Sequence, residues 1–297
     1  MNKHLKGTLY GAIASSSYGT NPLFGLPLFS AGIGVDSVLF YRYFFATLMF
    51  YVWLKYFRKK SLKISLKEFF PLLIVSLFFS LSSLTLFQAF HYIEAGIACT
   101  ILFIYPIIVA VIMAVFFKEK VTPQTVLAII LTSIGICLLY KGKDGDILNL
   151  TGVSFVLLSA LLYALYIVCV KKIKAIRTMP TEKLAFYVIF LGTFVYVVNL
   201  KFCTQLQLLD KPLLWVFVLS LAFFPTILSI ETINIAIKLI GSTKTAILGA
   251  LEPLTAIFFG VIFFHEHLTF RIVIGVIAIL IGVLSIVVRK KQSKCNN

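Results

Sequence analysis

Two stretches decide the fold: PIIVAVIMAVFFKEKVT, Pro106–Thr122, and PLTAIFFGVIFFHEHLT, Pro253–Thr269. They align without a gap when the chain is slid against itself by 147 positions. Pro106 falls on Pro253, Phe116-Phe117 on Phe263-Phe264, Glu119 on Glu266 and Thr122 on Thr269. The register continues, with Val126, Ile130, Ile134 and Gly135 on Val273, Ile277, Ile281 and Gly282. A shift of 145 sets Gly7 on Gly152 and Tyr18 on Tyr163. Apolar identities are common in so hydrophobic a chain, so the weight rests on the proline, the Glu-x-x-Thr turn and the glycine. They predict a duplication, residues 1–144 and 145–297.

The composition says what is duplicated. The 297 residues are 60% hydrophobic and 13% charged, with a mean hydropathy of +1.03, against about 45–50% and 25% in soluble domains. A soluble enzyme could not keep that much apolar area off its surface. Disorder, collagen and disulfide scaffolds are excluded by the same figures. Apolar stretches of membrane-crossing length, about 20 residues each, fall at roughly 7–28, 35–57, 69–92, 95–117, 122–140, 151–170, 183–200, 212–236, 243–264 and 270–288. The expectation is an all-α integral membrane protein with ten transmembrane helices in two five-helix repeats.

The net charge of +16 sits in short runs between these stretches, where the positive-inside rule places it. With the N-terminus cytoplasmic, 21 Lys and Arg fall on the cytoplasmic side or at that end of a span and five on the other, leaving Arg42 inside a span. Both termini are therefore expected in the cytoplasm. Five spans is an odd number, so the second copy enters from the opposite side. Inverted repeats of this kind are a recurring plan of secondary transporters.

The basic runs are too short to track nucleic-acid phosphates. Five cysteines without paired spacing indicate neither metal nor disulfides. The apolar stretch after Lys6 is too long for a signal peptide and is interrupted by Asn21-Pro22, so it reads as an uncleaved first helix. Cysteine-scarce loops and a short N-terminal tail fit a bacterial inner membrane. No Gly-x-x-x-x-Gly-Lys-Ser/Thr loop is present, which argues against direct coupling to ATP. No cofactor is expected, and the sequence does not set an oligomeric state.

The chain resembles the ten-span, two-EamA-domain members of the drug/metabolite transporter superfamily over about residues 7–288. The residues that carry the likeness are Tyr18-Gly19-Thr20-Asn21, Phe40-Tyr41-Arg42-Tyr43, Pro106, Phe117 to Thr122, Leu251-Glu252-Pro253 and Phe264 to Thr269. The resemblance implies a helical bundle around a central cavity, moving small metabolites by alternating access and often exporting amino acids or related compounds. His265-Glu266-His267 departs from the usual Gly-Glu pattern and makes that turn more polar.

Charges at membrane depth cost about 2.5–3.5 kcal/mol on insertion scales, so each needs a partner or a wet cavity. Glu252 stands before Pro253, which is expected to free a carbonyl near Gly249. It could bind a substrate ammonium, carry a proton or stabilise the bend. Arg42 could hold a substrate carboxylate, pair with Glu252 or Asp36, or snorkel outward. Glu231 shares a polar face with Asn234, after Pro225 and Ser229, and either lines the cavity or pairs with Lys238. Asn21 and Gln88 must hydrogen-bond something and are read as cavity residues. The serines of the first and third spans are read first as close-packing surfaces. Tyr163 and Tyr166 are either ligand walls or packing.

Pro106, Pro225 and Pro253 are expected helix bends. Glu119 with Thr122 and Glu266 with Thr269 are read first as capped turns. Two histidines flanking Glu266 do not make a tetrahedral metal site, and Asp144-Gly145-Asp146 lacks the rest of a calcium loop. Two further function classes compete with transport. A membrane enzyme on lipid-linked substrates would show clustered acids or histidines, whereas the 11 acids here are scattered. A non-transporting receptor or assembly partner has no need of inverted symmetry.

Overall fold

A computed structural model describes residues 3–59, 61–118, 123–139, 149–264, 270–271, 273–278 and 281. Among these residues all regular structure is helical. In chain order the helices are α1 (Lys3–Tyr18), α2 (Asn21–Ser30), α3 (Val35–Val52, continued by a π-helical turn Trp53–Phe57), α4 (Leu66–Ala89), α5 (Ala95–Leu102) and α6 (Tyr105–Phe117). There follow α7 (Pro123–Leu139), α8 (Leu150–Lys172), α9 (Lys174–Thr178), α10 (Thr181–Asn199), α11 (Pro212–Ala222), a π-helical turn Phe223–Leu228, α12 (Ser229–Ile240), α13 (Ser242–Leu248) and α14 (Leu251–Phe264).

Seven segments among the described residues are long and apolar enough to cross a bilayer: Val35–Phe57, Leu66–Ala89, Ala95–Phe117, Leu150–Lys172, Thr181–Asn199, Pro212–Ile240 and Lys244–Phe264. They fall on the second, third, fourth and sixth to ninth expected spans. Where the first was expected stand two helices, α1 and α2, each too short to cross alone. The fifth position holds α7, of 17 residues. The tenth lies mostly outside the described residues, as do Glu119, Thr122, Glu266 and Thr269.

Local chemistry sets the helix ends. The Ser65 N–H donates to Glu68 Oε2 at 2.9 Å, opening α4 with half of a capping box. Asn149 Oδ1 accepts from the N–H of Thr151 at 2.9 Å and caps α8. Pro212 begins α11, where its missing N–H costs nothing. Gly241, at φ +89°, makes the reversal between α12 and α13 in a region closed to side chains.

The long helices pack antiparallel in pairs. On α4 and α8, the Ser82 and Ser159 hydroxyls lie 3.0 Å apart, and the Ser159 hydroxyl donates to the Ser82 carbonyl at 2.7 Å. Tyr92 meets Phe155 further along, ring to ring at 5.9 Å. This is the close approach that small residues permit. A Cβ on Gly152 would stand 2.8 Å from Tyr92 and 2.9 Å from Ile93. On α1 and α12, a Cβ on Gly7 would stand 2.9 Å from Leu239 and 2.5 Å from Ile240. Gly7 and Gly152 are 145 positions apart, and the residues they meet are 147 apart.

Two contacts join residues one offset apart, 145 and 147, and a third joins residues 146 apart. Tyr18 stacks on Tyr163 with ring centroids at 5.7 Å, Thr47 and Thr193 hydroxyls approach to 3.4 Å, and the Tyr105 hydroxyl donates to Glu252 Oε1 at 3.1 Å. Around the Thr47–Thr193 contact α3 and α10 run in opposite directions, Asp36 meeting Asn199 at one end and Tyr51 meeting Phe186 at the other.

Candidate functional site

Prolines build the centre of the bundle by removing backbone donors. Pro22 cannot supply the N–H that would reach the Tyr18 carbonyl, four residues back. The Asn21 side chain supplies it instead, Nδ2 donating to Tyr18 O at 2.8 Å. The helix parts there at Gly19 and Thr20, and Gly19 presses on α14 so closely that a Cβ would stand 2.5 Å from the Glu252 carbonyl oxygen. Pro225 leaves the Leu221 carbonyl without its donor in the same way. Here the Thr226 hydroxyl donates to Leu221 O at 2.7 Å, and the chain widens into the π-helical turn.

That turn holds Arg42, which is fully buried. Its Nε donates to Thr226 Oγ1 at 2.5 Å and its Nη2 to the Pro225 carbonyl at 3.1 Å. The rings of Phe87 and Tyr43 lie 5.4 and 5.7 Å from the guanidinium carbon. The expected partners are therefore corrected. Arg42 neither pairs with Glu252 nor snorkels outward, and Asp36 accepts instead from Asn199 Nδ2 at 3.2 Å. The kinked turn offers the guanidinium a hydroxyl and a carbonyl oxygen inside the bundle, which a distant carboxylate does not.

Glu252 is buried immediately before Pro253. The α5–α6 break precedes Pro106 and the α13–α14 break precedes Pro253. The carbonyl of Gly249 is not free as expected, because the Glu252 N–H closes on it at 2.8 Å in a tightened turn. Tyr105 and Glu252 each stand immediately before their proline and meet across the bundle. Tyr105 packs edge-on against Tyr163 at 4.7 Å, and Tyr163 stacks in turn on Tyr18. Tyr166, one turn from Tyr163, donates to Asn234 Oδ1 at 2.7 Å. Tyr43 shares a 3.0 Å hydrogen bond with Ser83, and Tyr196 donates to the Ser80 carbonyl at 2.8 Å.

Within this buried polar centre five side-chain atoms have no hydrogen-bond partner among the described residues: Asn21 Oδ1, Arg42 Nη1, Ser80 Oγ, Asn234 Nδ2 and Glu252 Oε2. Two are acceptors, two are donors and one is a hydroxyl. The ion pair among the described residues is Lys183 with Glu68, at 3.4 Å, so Arg42 and Glu252 each face the interior without an opposite charge.

Arg42, Asn21, Asn234, Glu252, Tyr163 and Tyr166 are thus all buried, with Ser229 buried on the helix of Asn234. Gln88 and Glu231 are only half-buried. The expected Glu231–Lys238 pair is absent, since Lys238 reaches the Met179 carbonyl. The serines behave as packing surfaces at Ser82 and Ser159 and as hydrogen-bonding groups at Ser83. Tyr18, Tyr43, Tyr105, Tyr196, Thr226 and Ser80 were not read as site residues. Tyr105 could have been, because the 147-residue register sets it on Glu252.

Comparison with known proteins adds a family. The model of the EamA-like transporter family matches residues 5–141 and 150–288. The chain is 26% identical over 242 residues to the uncharacterized transporter YvbV of Bacillus subtilis (strain 168), covering 78% of this chain and 76% of that one. It is 27% identical over 192 residues to an uncharacterized transporter of Archaeoglobus fulgidus, covering 64% and 66%. A solved chain titled only as the crystal structure of a protein superposes with a TM-score of 0.73 at 16% identity, over 94% of this chain and 96% of that one, a likeness of fold.

Proposed function

The chain belongs to the EamA-like transporter family, a multi-pass membrane transporter, and from that premise we propose that it moves small zwitterionic metabolites, amino acids or related compounds, by alternating access. The observation that carries the reading is the set of unpartnered buried atoms with an unpaired cation and an unpaired carboxyl among them. Leaving such groups unmatched costs about 1–3 kcal/mol each, more for charged ones. A ligand with a carboxylate for Arg42 Nη1 and an ammonium for Glu252 Oε2 would match them, and Tyr18 and Tyr163 would wall its apolar part. A proton on Glu252 is the other cargo that this site could handle.

The architecture in this proposal is ten helices in two inverted repeats, 1–144 and 145–297. Contacts between equivalent residues support it, because a residue meets its own counterpart only on a two-fold axis. The opposite directions of α3 and α10 support an axis running across the helices, as an inverted pair requires. The charge asymmetry supports cytoplasmic termini, the cysteine-scarce loops and short N-terminal tail fit a bacterial inner membrane, and export is the direction the family likeness suggests. The test is metabolite profiling of medium from cells with and without the gene, followed by counterflow of the leading compounds in proteoliposomes. Exchange of a zwitterion by the wild type, lost in Glu252→Gln and Arg42→Ala, is expected. Exchange of no amino acid, sugar derivative or cationic drug would sink the proposal.

A further inference from the structure

A cavity of about 660 Å³ lies between α3 and α10 and shares no lining residue with the central site. Its rim is open: Phe44, Leu48 and Phe194 are 44%, 49% and 53% exposed, all within membrane-crossing segments. Thr47 and Thr193 line it and spend their hydroxyls on each other and on the Ile189 carbonyl. The wall runs from Phe40 to Tyr51 on one helix and from Phe186 to Val197 on the other. At a rise of about 1.5 Å per residue that is about 16 Å, near half of the roughly 30 Å hydrocarbon core. Such a slot takes one extended hydrocarbon chain.

One end of the slot is basic. Tyr51 and Leu62 line it there, and one turn beyond Tyr51 the exposed Lys55 donates to the Tyr51 hydroxyl at 2.9 Å. Arg58, Lys59, Lys63 and Lys67 follow, all exposed. Glu68, the carboxylate of this segment, is engaged by Lys183 and by the Ser65 N–H. A phosphate at this mouth meets the five cations Lys55, Arg58, Lys59, Lys63 and Lys67 against two carboxylates, Glu68 and, one turn before the lining Phe186 on α10, Glu182.

We propose that the α3–α10 groove binds one acyl chain of an anionic phospholipid, whose headgroup phosphate sits at Lys55. The ligand comes from the bilayer itself, and the proposal does not depend on what the central site transports. Native mass spectrometry of the full-length protein, released from micelles doped with phosphatidylglycerol or phosphatidylcholine, reads it directly. One retained lipid per chain is expected, with phosphatidylglycerol preferred by about fivefold, the effect of one lysine near a lipid phosphate. Thr47→Phe and Thr193→Phe fill the slot from opposite walls and should each cut the retained fraction by about tenfold, as loss of a few buried methylenes would. Leu48→Trp, closing the rim, does the same without touching the floor, and melting curves identify any variant that has failed to fold. Lys55→Gln should keep the lipid and lose the headgroup preference. Full retention in the folded filled variants, equal retention of the two lipids by the wild type, or a lipid-free dimer joined through this face would overturn the assignment.

Discussion

Replacing Thr226 by valine tests how the buried guanidinium is held, because the two side chains are nearly the same shape. The hydroxyl has two duties. It accepts from Arg42 Nε at 2.5 Å and, since arginine can only donate, it must give its own proton to the Leu221 carbonyl at 2.7 Å. Pro225 cannot replace that second bond. Valine therefore removes a charge-assisted bond of about 1.5–3 kcal/mol and strands a buried carbonyl at about 1–3 kcal/mol. Hydrogen bonds measured within membrane proteins average nearer 0.6 and reach about 1.7 kcal/mol, which brings the expected loss to about 2–3 kcal/mol. Thr226→Ser keeps both bonds and loses one methyl group, about 0.8 kcal/mol. Reversible unfolding in mixed micelles, followed by the fluorescence of Trp53 and Trp215, separates the two variants. If valine and serine destabilise the protein equally, the relay from Arg42 through Thr226 to Leu221 is not what holds this turn together.

Gly249→Ala puts a Cβ into the Tyr105 hydroxyl and 2.5 Å from its ring Cζ; it should cost about 1–3 kcal/mol by overpacking, and in a double-mutant cycle Tyr105→Phe should recover only part of that, whereas Tyr105→Leu, which removes the ring, should recover more. Arg42→Lys keeps the charge but lacks the fork that meets Thr226 and Pro225 while leaving Nη1 open; in proteoliposomes it should raise KM for a carboxylate-bearing substrate by about tenfold or more, the size of one lost charge-assisted bond, and leave an amine analogue unaffected. Glu252→Gln should cut counterflow by about tenfold or more on the same reasoning while the melting temperature stays close to that of the wild type, because Tyr105 can still donate to the amide oxygen; unchanged flux would remove Glu252 from the site.

Much of this was legible in the sequence because it follows from periodicity and register. The 147-residue offset placed Pro106 on Pro253, and with them Tyr105 on Glu252, a pairing that the bundle turns into a hydrogen bond. Asn21-Pro22 was readable as an interruption of the first apolar stretch. That the glycine at the break, Gly19, would press against the Glu252 carbonyl, more than 200 positions away, was not. The partners of Arg42 and Lys238 were misread for one common reason. Charge complementarity suggests carboxylates, whereas both side chains find backbone carbonyls, at Pro225 and Met179. A sequence shows its formal charges but not which carbonyls a proline or a helix end will leave exposed.

The breaks in the helices are of two kinds, and the difference bears on how the proposed transporter would move. Those before Pro106 and Pro253 occur in both halves, within one residue of each other in the repeat register. Those of α1 and of the Phe223–Leu228 turn do not. Under the same offsets Pro22 falls on Ile167, inside the unbroken α8, and Pro225 on Phe78, inside the unbroken α4. A cycle in which each half adopted the other's shape would have to straighten helices at fixed prolines and break others where every residue can donate, a cost near 3 kcal/mol per interior proline. In the proposed cycle the halves would therefore exchange their tilt and the geometry of the shared breaks, while the α1 kink and the π-helical turn would travel as rigid parts. Spin-label pairs spanning Phe103 and Ala250 should change separation when substrate is added, and pairs spanning Gly19 and Pro225 should hold theirs. Equal movement at all four positions would mean that the prolines do not fix the kinks, and that the asymmetry of the two halves belongs to one resting state instead of to the mechanism.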